Sequence, residues 1–316
     1  MRALVTGVAG FVGSNLARAL LAQGHEVVGV DCVTDYYEVE IKERNLAGIP
    51  AERFTFVRAD LNEVDLDDLL VGVDWIFHQA GQPGVRMSWG RDFAVYVRHN
   101  ISATQRLLEA AQRQGSVQRL VYASSSSIYG NAETYPTLES DRPQPVSPYG
   151  VTKLAAEHLC SLYASNFGLP TVSLRYFTVY GPGQRTDMAF TRFVRAAVLD
   201  ETISIFGDGE QVRDFTFIDD IVAANVLAAS TDVPAGSVFN VAGGSNVTVN
   251  QTLDILAGLA GHPLKIDYID RVAGDVLRTG GSTEKIGAAL GWRAEVDIEQ
   301  GLARHLAWGE RTFGRA

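Results

Sequence analysis

The sequence predicts an α/β protein: a doubly wound parallel (Rossmann) sheet with a smaller, interleaved C-terminal substrate lobe. Three observations carry that prediction. Gly7-x-x-Gly10-x-x-Gly13 stands between an apolar strand and a helical run, where a glycine turn can cradle a pyrophosphate. An acid, Asp31, ends the next apolar run. Strand-like and helix-like segments then alternate up to Arg175, as parallel strands joined by helical crossovers require.

The elements follow in order. Ala3–Thr6 reads as the first strand, Ser14–Gln23 as the first helix, and Gly24 as its C-cap glycine. His25–Val30, Phe54–Ala59, Trp75–His78, Arg119–Ser124 and Thr171–Arg175 read as strands two to six. Helices are expected over Asn100–Gln114 and from Ser147-Pro148, an N-cap with proline at the first helical position, through Phe167. Beyond Arg175 the alternation loosens into two glycine-rich turns flanking a β-like Thr202–Phe206. Asp219–Ala229 is helical, Ser237–Val241 could return to the sheet, and small helices with one strand, Leu264–Ile269, fill the rest. The expected division is residues 1–175 plus about 214–243 for the dinucleotide, and 176–213 plus 244–316 for the substrate.

Composition bounds the function. A chain of 316 residues with 46% hydrophobic and 20% charged content can bury a large core. A net charge of −10 argues against nucleic acid, whose phosphates call for a basic surface. No apolar run approaches the roughly 18 residues of a membrane span, and the N-terminus reads as a strand, not a signal peptide, so a cytoplasmic location is expected. Two distant cysteines, Cys32 and Cys160, suit a reducing compartment. No metal-ligand cluster is expected.

The cofactor expectations come from the glycine turn outward. Gly7 permits the tight turn, Gly10 lets backbone approach phosphate, and Gly13 lets helix and strand pack closely. The free N–H groups of Phe11, Val12 and Gly13 would face the phosphates. Asp31 can accept from both adenosine ribose hydroxyls and would repel a 2′-phosphate, which favours NAD over NADP. Asp60, with Leu61 after it, stands at the adenine edge or is a helix N-cap. Gln79-Ala80-Gly81 would leave room for the central phosphates and ribose. Asn100 is a cofactor contact or a plain N-cap.

The chemistry is expected at Tyr149-Gly150-Val151-Thr152-Lys153. Tyr149 and Lys153, four apart, share one helix face. An ammonium beside a phenol stabilises the phenolate. Bringing a tyrosine from about 10 to neutrality takes about 4 kcal/mol of such stabilisation. Gly150 within the helix suggests a close approach by a neighbouring group or a ligand. Ser124-Ser125-Ser126-Ser127 follows strand five at the ligand-binding end of the sheet; it is a hydrogen-bonding set or a polar loop.

These motifs together resemble the extended short-chain dehydrogenase/reductases of the NAD-dependent nucleotide-sugar epimerase/dehydratase group, from Gly7 to about Trp292. The resemblance implies Tyr149 as the base at a sugar hydroxyl, Lys153 on the nicotinamide ribose, and Ser125 on the reacting hydroxyl, with Ser126 and Ser127 close by. It implies further cofactor contacts from Ser124, Tyr176 and Val179. Dehydratases of the group carry an Asp-Glu pair where this chain has Ser126-Ser127, and a hydroxyl cannot replace a carboxylate as acid or base. Uronate decarboxylases carry glutamate at the position of Ser127.

The run Tyr176-Phe177-Thr178-Val179-Tyr180-Gly181-Pro182, followed by Arg185 and Asp187-Met188-Ala189, resembles the UDP-glucuronate 4-epimerases, as does Asp35-Tyr36-Tyr37. Neutral-sugar epimerases usually have asparagine in place of Thr178. A C6 carboxylate suits a two-pronged arginine, so Arg185 with Thr178 is expected to hold it; a solvated loop arginine is the bland alternative. For the nucleotide, Phe206 is expected on uracil, Arg213 on the diphosphate, and Met188 and Gln211 along the cleft. Asp275 is expected on the uridine ribose; Arg271 and Arg86 are further substrate-side arginines. Competing readings are a UDP-glucose 4-epimerase, a UDP-glucuronate decarboxylase, and a non-catalytic NAD-binding sensor. The family pattern also implies a homodimer formed through Asn100–Gln114 and Tyr149–Phe167.

Overall fold

The computed structural model describes residues 1–270 and 278–314. Among the described residues, twelve strands run β1 (Arg2–Thr6), β2 (Glu26–Asp31), β3 (Phe54–Arg58), β4 (Trp75–His78), β5 (Arg119–Ser125), β6 (Thr171–Tyr176), β7 (Thr178–Tyr180), β8 (Thr202–Phe206), β9 (Val212–Phe217), β10 (Ser237–Val241), β11 (Ser245–Thr248) and β12 (Lys265–Ile269). Seven form the main sheet in the order β10-β6-β5-β4-β1-β2-β3, and all their pairings are parallel. The order reverses between β1 and β4, which opens a crevice at their carboxyl ends. β10 closes the far edge against β6.

Successive side chains on each strand serve opposite faces. Val5, Phe77 and Leu174 pack with Leu16, Leu20 and Ile221 on one face. Leu4, Ile76 and Leu120 pack with Leu107, Leu108 and Cys160 on the other. Both faces are thus buried, which is why these strands read as apolar runs and not as alternating ones. Cys32 and Cys160 are free thiols.

A three-stranded sheet, β11-β9-β7, and the parallel pair β12-β8 stand beside the main sheet. Helices Ala189–Leu199, Val249–Ala260 and Ile298–Phe313 gather around Phe193, Leu253 and Leu306. The C-terminal segment is stitched to the Ile218–Ser230 helix: the Trp292 indole donates to the Asp220 carbonyl at 2.9 Å, and the Asp220 carboxylate accepts from the backbone of Glu295 and Val296.

Two expectations need correction. The first helix spans Phe11–Ala22, three residues earlier than the apolar pattern placed it, because Gly10 already has extended N-cap geometry. Asn100 does not begin a helix. It lies in a π-type turn, Val97–Ser102, inside a helical stretch running from Phe93 to Gln114. Helices Val39–Ala47 and Ala189–Leu199, and strands β7, β9 and β11, had no clear pattern in the sequence. No helix among the described residues is long and apolar enough to cross a membrane.

Candidate active site

A cleft of about 500 Å³ runs across the carboxyl ends of the strands. At its floor the glycine turn is fixed by backbone contact. Gly7 has φ +68° and a Cβ there would meet Ala80 backbone at 2.8 Å. A Cβ on Gly13 would sit 2.2 Å from the Gly7 carbonyl oxygen. Thus Gly13 lets the helix close on the turn itself, and the helix N-terminus carries no side-chain cap. That leaves its first N–H groups free for a phosphate, as a dinucleotide needs.

Asp31 ends β2, and its carboxylate accepts from the backbone of Ala9 at 3.0 Å and Val33 at 2.7 Å. Each oxygen retains acceptor capacity toward the cleft. Asp60 is not an N-cap; that role falls to Asp65. Asp60 instead holds its own turn through Asn62 and pairs with Arg98 at 2.7 Å, while it and Leu61 border the cleft. Asn100 is buried and tied off. Its carboxamide accepts from the Gln82 N–H at 2.6 Å and donates to the Gln82 carbonyl and the Thr152 hydroxyl. It therefore shapes the loop after β4 and does not border the cleft. Gln79 pairs with Asn225, and the Tyr176 hydroxyl with both.

Ser147 caps the Pro148–Phe167 helix by accepting from Gly150 N–H at 3.1 Å. This places Tyr149 in the first turn and Lys153 one turn on, both at the cleft. The reason for Gly150 is backbone, not ligand: a Cβ there would lie 2.6 Å from the Ser127 carbonyl oxygen. Helix and serine turn are thereby locked together. Ser125 caps that turn by accepting from Ser127 N–H at 3.1 Å, and its hydroxyl is hydrogen-bonded to the Tyr149 phenol. Ser126 and Ser127 also border the cleft. Ser124 borders the cleft as well, but its hydroxyl donates at 2.6 Å to buried Glu157, itself paired with buried Arg175 at 2.6 Å.

The electrostatics differ from the expectation. Burial raises the Tyr149 phenol, opposed by the Ser125 hydrogen bond and by the charge of Arg185. Lys153 donates to the Ala123 carbonyl at 2.6 Å and lies 4.8 Å from the centre of the Tyr122 ring. Burial pushes its ammonium down to about 8. Among the described residues, the charge of Arg185 thus lowers the phenol against the larger effect of burial.

Arg185, Thr178 and Met188 border the same cleft as Tyr149. Arg185 is no solvated loop residue, since its side chain is only 18% exposed. Phe206, Gln211, Arg213 and Arg86 lie outside that lining. One face of Phe206 is covered by the Arg86 guanidinium at 4.6 Å, and Gln211 donates to the Phe206 carbonyl at 3.4 Å. Arg271 and Asp275 lie outside the described residues. Sequence reasoning missed Lys42, a buried lysine at the cleft whose ammonium donates to Thr34 and lies 4.7 Å from the Tyr37 ring centre. Nothing in a lone lysine signalled it.

A parallel doubly wound sheet, an uncapped glycine turn, an acid at the second strand end and a tyrosine–lysine–serine set at one cleft define a dinucleotide-dependent short-chain enzyme architecture. The chain belongs to the NAD dependent epimerase/dehydratase family, whose model matches residues 3–242. It is 41% identical to YtcB of Bacillus subtilis, described as an uncharacterized UDP-glucose epimerase, over 98% of both chains. It is 38% identical to the UDP-glucuronate 4-epimerase of Thermodesulfobacterium geofontis, over 98% of this chain and 96% of that one. The crystal structure of the Bacillus cereus UDP-glucuronic acid 4-epimerase with UDP-glucuronic acid and NAD superposes with a TM-score of 0.94 at 39% identity, covering 99% of this chain and all of the other. The cofactor is NAD.

Proposed function

We propose that this protein is a UDP-glucuronate 4-epimerase, interconverting UDP-glucuronate and UDP-galacturonate through a 4-keto sugar. The observation that carries the reading is Arg185, a shielded guanidinium bordering the cleft that holds Tyr149, Ser125 and Lys153. A neutral sugar gives that charge nothing to bind, whereas a C6 carboxylate accepts from it through paired hydrogen bonds.

NAD supplies a reversible two-electron acceptor for C4. The protein's part is positional and protic. Ser125 orients the C4 hydroxyl toward Tyr149, whose oxygen takes the hydroxyl proton and returns it when the ketone is reduced. Lys153, which donates to the Ala123 carbonyl, would hold the nicotinamide ribose of a bound NAD, and its charge would favour the phenolate. Arg185 and Thr178 hold the carboxylate out of the orientation in which a β-keto acid loses CO2. The serines at 126 and 127 offer no carboxylate for elimination of water. Epimerisation then requires only that the ketone present its other face.

A second reading, a UDP-glucose 4-epimerase, is favoured by the description of the Bacillus subtilis relative. We further propose a cytoplasmic homodimer. Val151, Leu162 and Phe167 stay exposed on the Pro148–Phe167 helix, whereas Leu154 and Leu159 turn partly inward. In the same reading the dinucleotide half is 1–175 with about 214–243, and the sugar half the remainder. Incubation with UDP-glucuronate and with UDP-glucose, followed by NMR and CO2 measurement, tests the assignment. Galacturonate without CO2 is the expected product; galactose alone would give the neutral-sugar reading, and pentose with CO2 a decarboxylase.

A further inference from the structure

Arg185 does not stand alone. Its Nε donates to one oxygen of Asp187 and its Nη2 to the other, both at 2.9 Å, a fork-to-fork pairing. Arg185 borders the cavity that contains Tyr149, whereas Asp187 does not. The arginine side chain is 18% exposed and the aspartate 43%. The guanidinium also lies 5.8 and 6.0 Å from the ring centres of Tyr36 and Tyr37. The intervening Thr186 hydroxyl donates to the Glu38 carboxylate, which pins the segment to the loop carrying those rings.

A guanidinium has five N–H donors in a fixed plane. Asp187 uses two of them along the Nε–Nη2 edge, which leaves three, including both on Nη1. We propose that Asp187 is a positioning residue: it grips the outer edge of Arg185 so that the remaining edge is presented, already ordered, to the C6 carboxylate of the substrate. This deepens the reading of Arg185 given above and rests on it. An arginine held this way loses little rotamer freedom when substrate arrives, whereas a free one must be ordered at that moment. The selectivity for a uronate would then belong to the pair and not to Arg185 alone. The opposite role, an internal carboxylate that competes with the substrate for Arg185, predicts the opposite sign.

The test uses the NAD-loaded enzyme and its Asp187→Ala, Asp187→Asn and Arg185→Ala variants. It combines calorimetric affinities for UDP-glucuronate and UDP-glucose with steady-state kinetics on both. The expected result for Asp187→Ala is an affinity for UDP-glucuronate weaker by about 3- to 10-fold, seen in Kd and KM. Its kcat should stay within about twofold, UDP-glucose should bind as before, and Asp187→Asn should fall between. Tighter UDP-glucuronate binding in Asp187→Ala would overturn the proposal in favour of competition. Equal weakening for both sugars would overturn it in favour of general loop damage. The two levels separate cleanly. If Arg185→Ala abolishes the preference for UDP-glucuronate and Asp187→Ala leaves it intact, only the role of Asp187 is refuted. If Arg185→Ala leaves the preference intact, the carboxylate assignment itself fails and this inference with it.

Discussion

Replacing Lys153 by methionine should abolish turnover and yet stabilise the NAD-free protein at neutral pH. Lys153 is 7% exposed, and burial depresses its ammonium from its ordinary 10.5 to about 8. Such a depression costs the fold about 3 kcal/mol at pH 7, where the group is charged in both states. Methionine removes that cost but leaves the Ala123 carbonyl, now bound at 2.6 Å, without its donor, a loss of about 1–3 kcal/mol. The net gain at pH 7 is about 1 kcal/mol, or roughly 2 °C in Tm for a chain of this size. A lysine whose folded value lies below its unfolded one destabilises the fold below about pH 8. The cost fades as pH climbs toward 10.5. Between pH 7 and 9.5 the gap between the variant and the natural protein should therefore move by about 2 kcal/mol in favour of the natural protein. Thermal melts of both proteins without NAD at the two pH values measure this. A gap that does not change with pH, or a variant less stable at pH 7, would refute the reasoning.

Three further outcomes are expected. Gly13→Ala puts a methyl 2.2 Å from the Gly7 carbonyl oxygen; the turn must open, and calorimetry should find NAD affinity lowered by tenfold or more, a loss of about 1.4 kcal/mol. Gly150→Ala gains about 1 kcal/mol of helix propensity but drives its Cβ to 2.6 Å from the Ser127 carbonyl oxygen. Overpacking of about 1–3 kcal/mol should leave it no more stable than the natural protein in urea melts, with kcat reduced because the serine turn moves away from Tyr149. Arg185→Ala should lower kcat/KM for UDP-glucuronate by about 100-fold, the value of a charge-assisted pair, and that for UDP-glucose by less than tenfold; equal losses on the two sugars would count against the carboxylate role.

How much of this was legible in the sequence follows from which contacts are local. The central sheet was readable because its inner strands are buried on both faces and all are bounded by turn residues, so inner Trp75–His78 and edge Ser237–Val241 both fall where the sequence reading placed strands. The glycine turn and the Tyr149 helix start were readable because their signals, glycine spacing and a Ser-Pro cap, lie within a few residues. What stayed hidden depends on distant partners. Gly150 signals a close approach, but no local pattern says that its neighbour is the Ser127 carbonyl. Asn100 looked like a helix start because no local rule reports a carboxamide tied to Gln82 and Thr152. The serine run divided for the same reason: Glu157, 33 positions along the chain, claims Ser124 and leaves Ser125 for Tyr149. Likewise the Tyr–Lys spacing indicates a shared face but not that the charge of Arg185, on a loop after β7, also acts on the phenol.

The most direct test of the account is Tyr149→Phe, assayed for interconversion of UDP-glucuronate and UDP-galacturonate alongside calorimetric titration with NAD and UDP-glucuronate. Removing one hydroxyl should reduce kcat by about 100- to 10,000-fold while both ligands bind within a fewfold of normal. Turnover within tenfold of the natural protein, with binding intact, would contradict the assignment of that oxygen as the group that takes the proton.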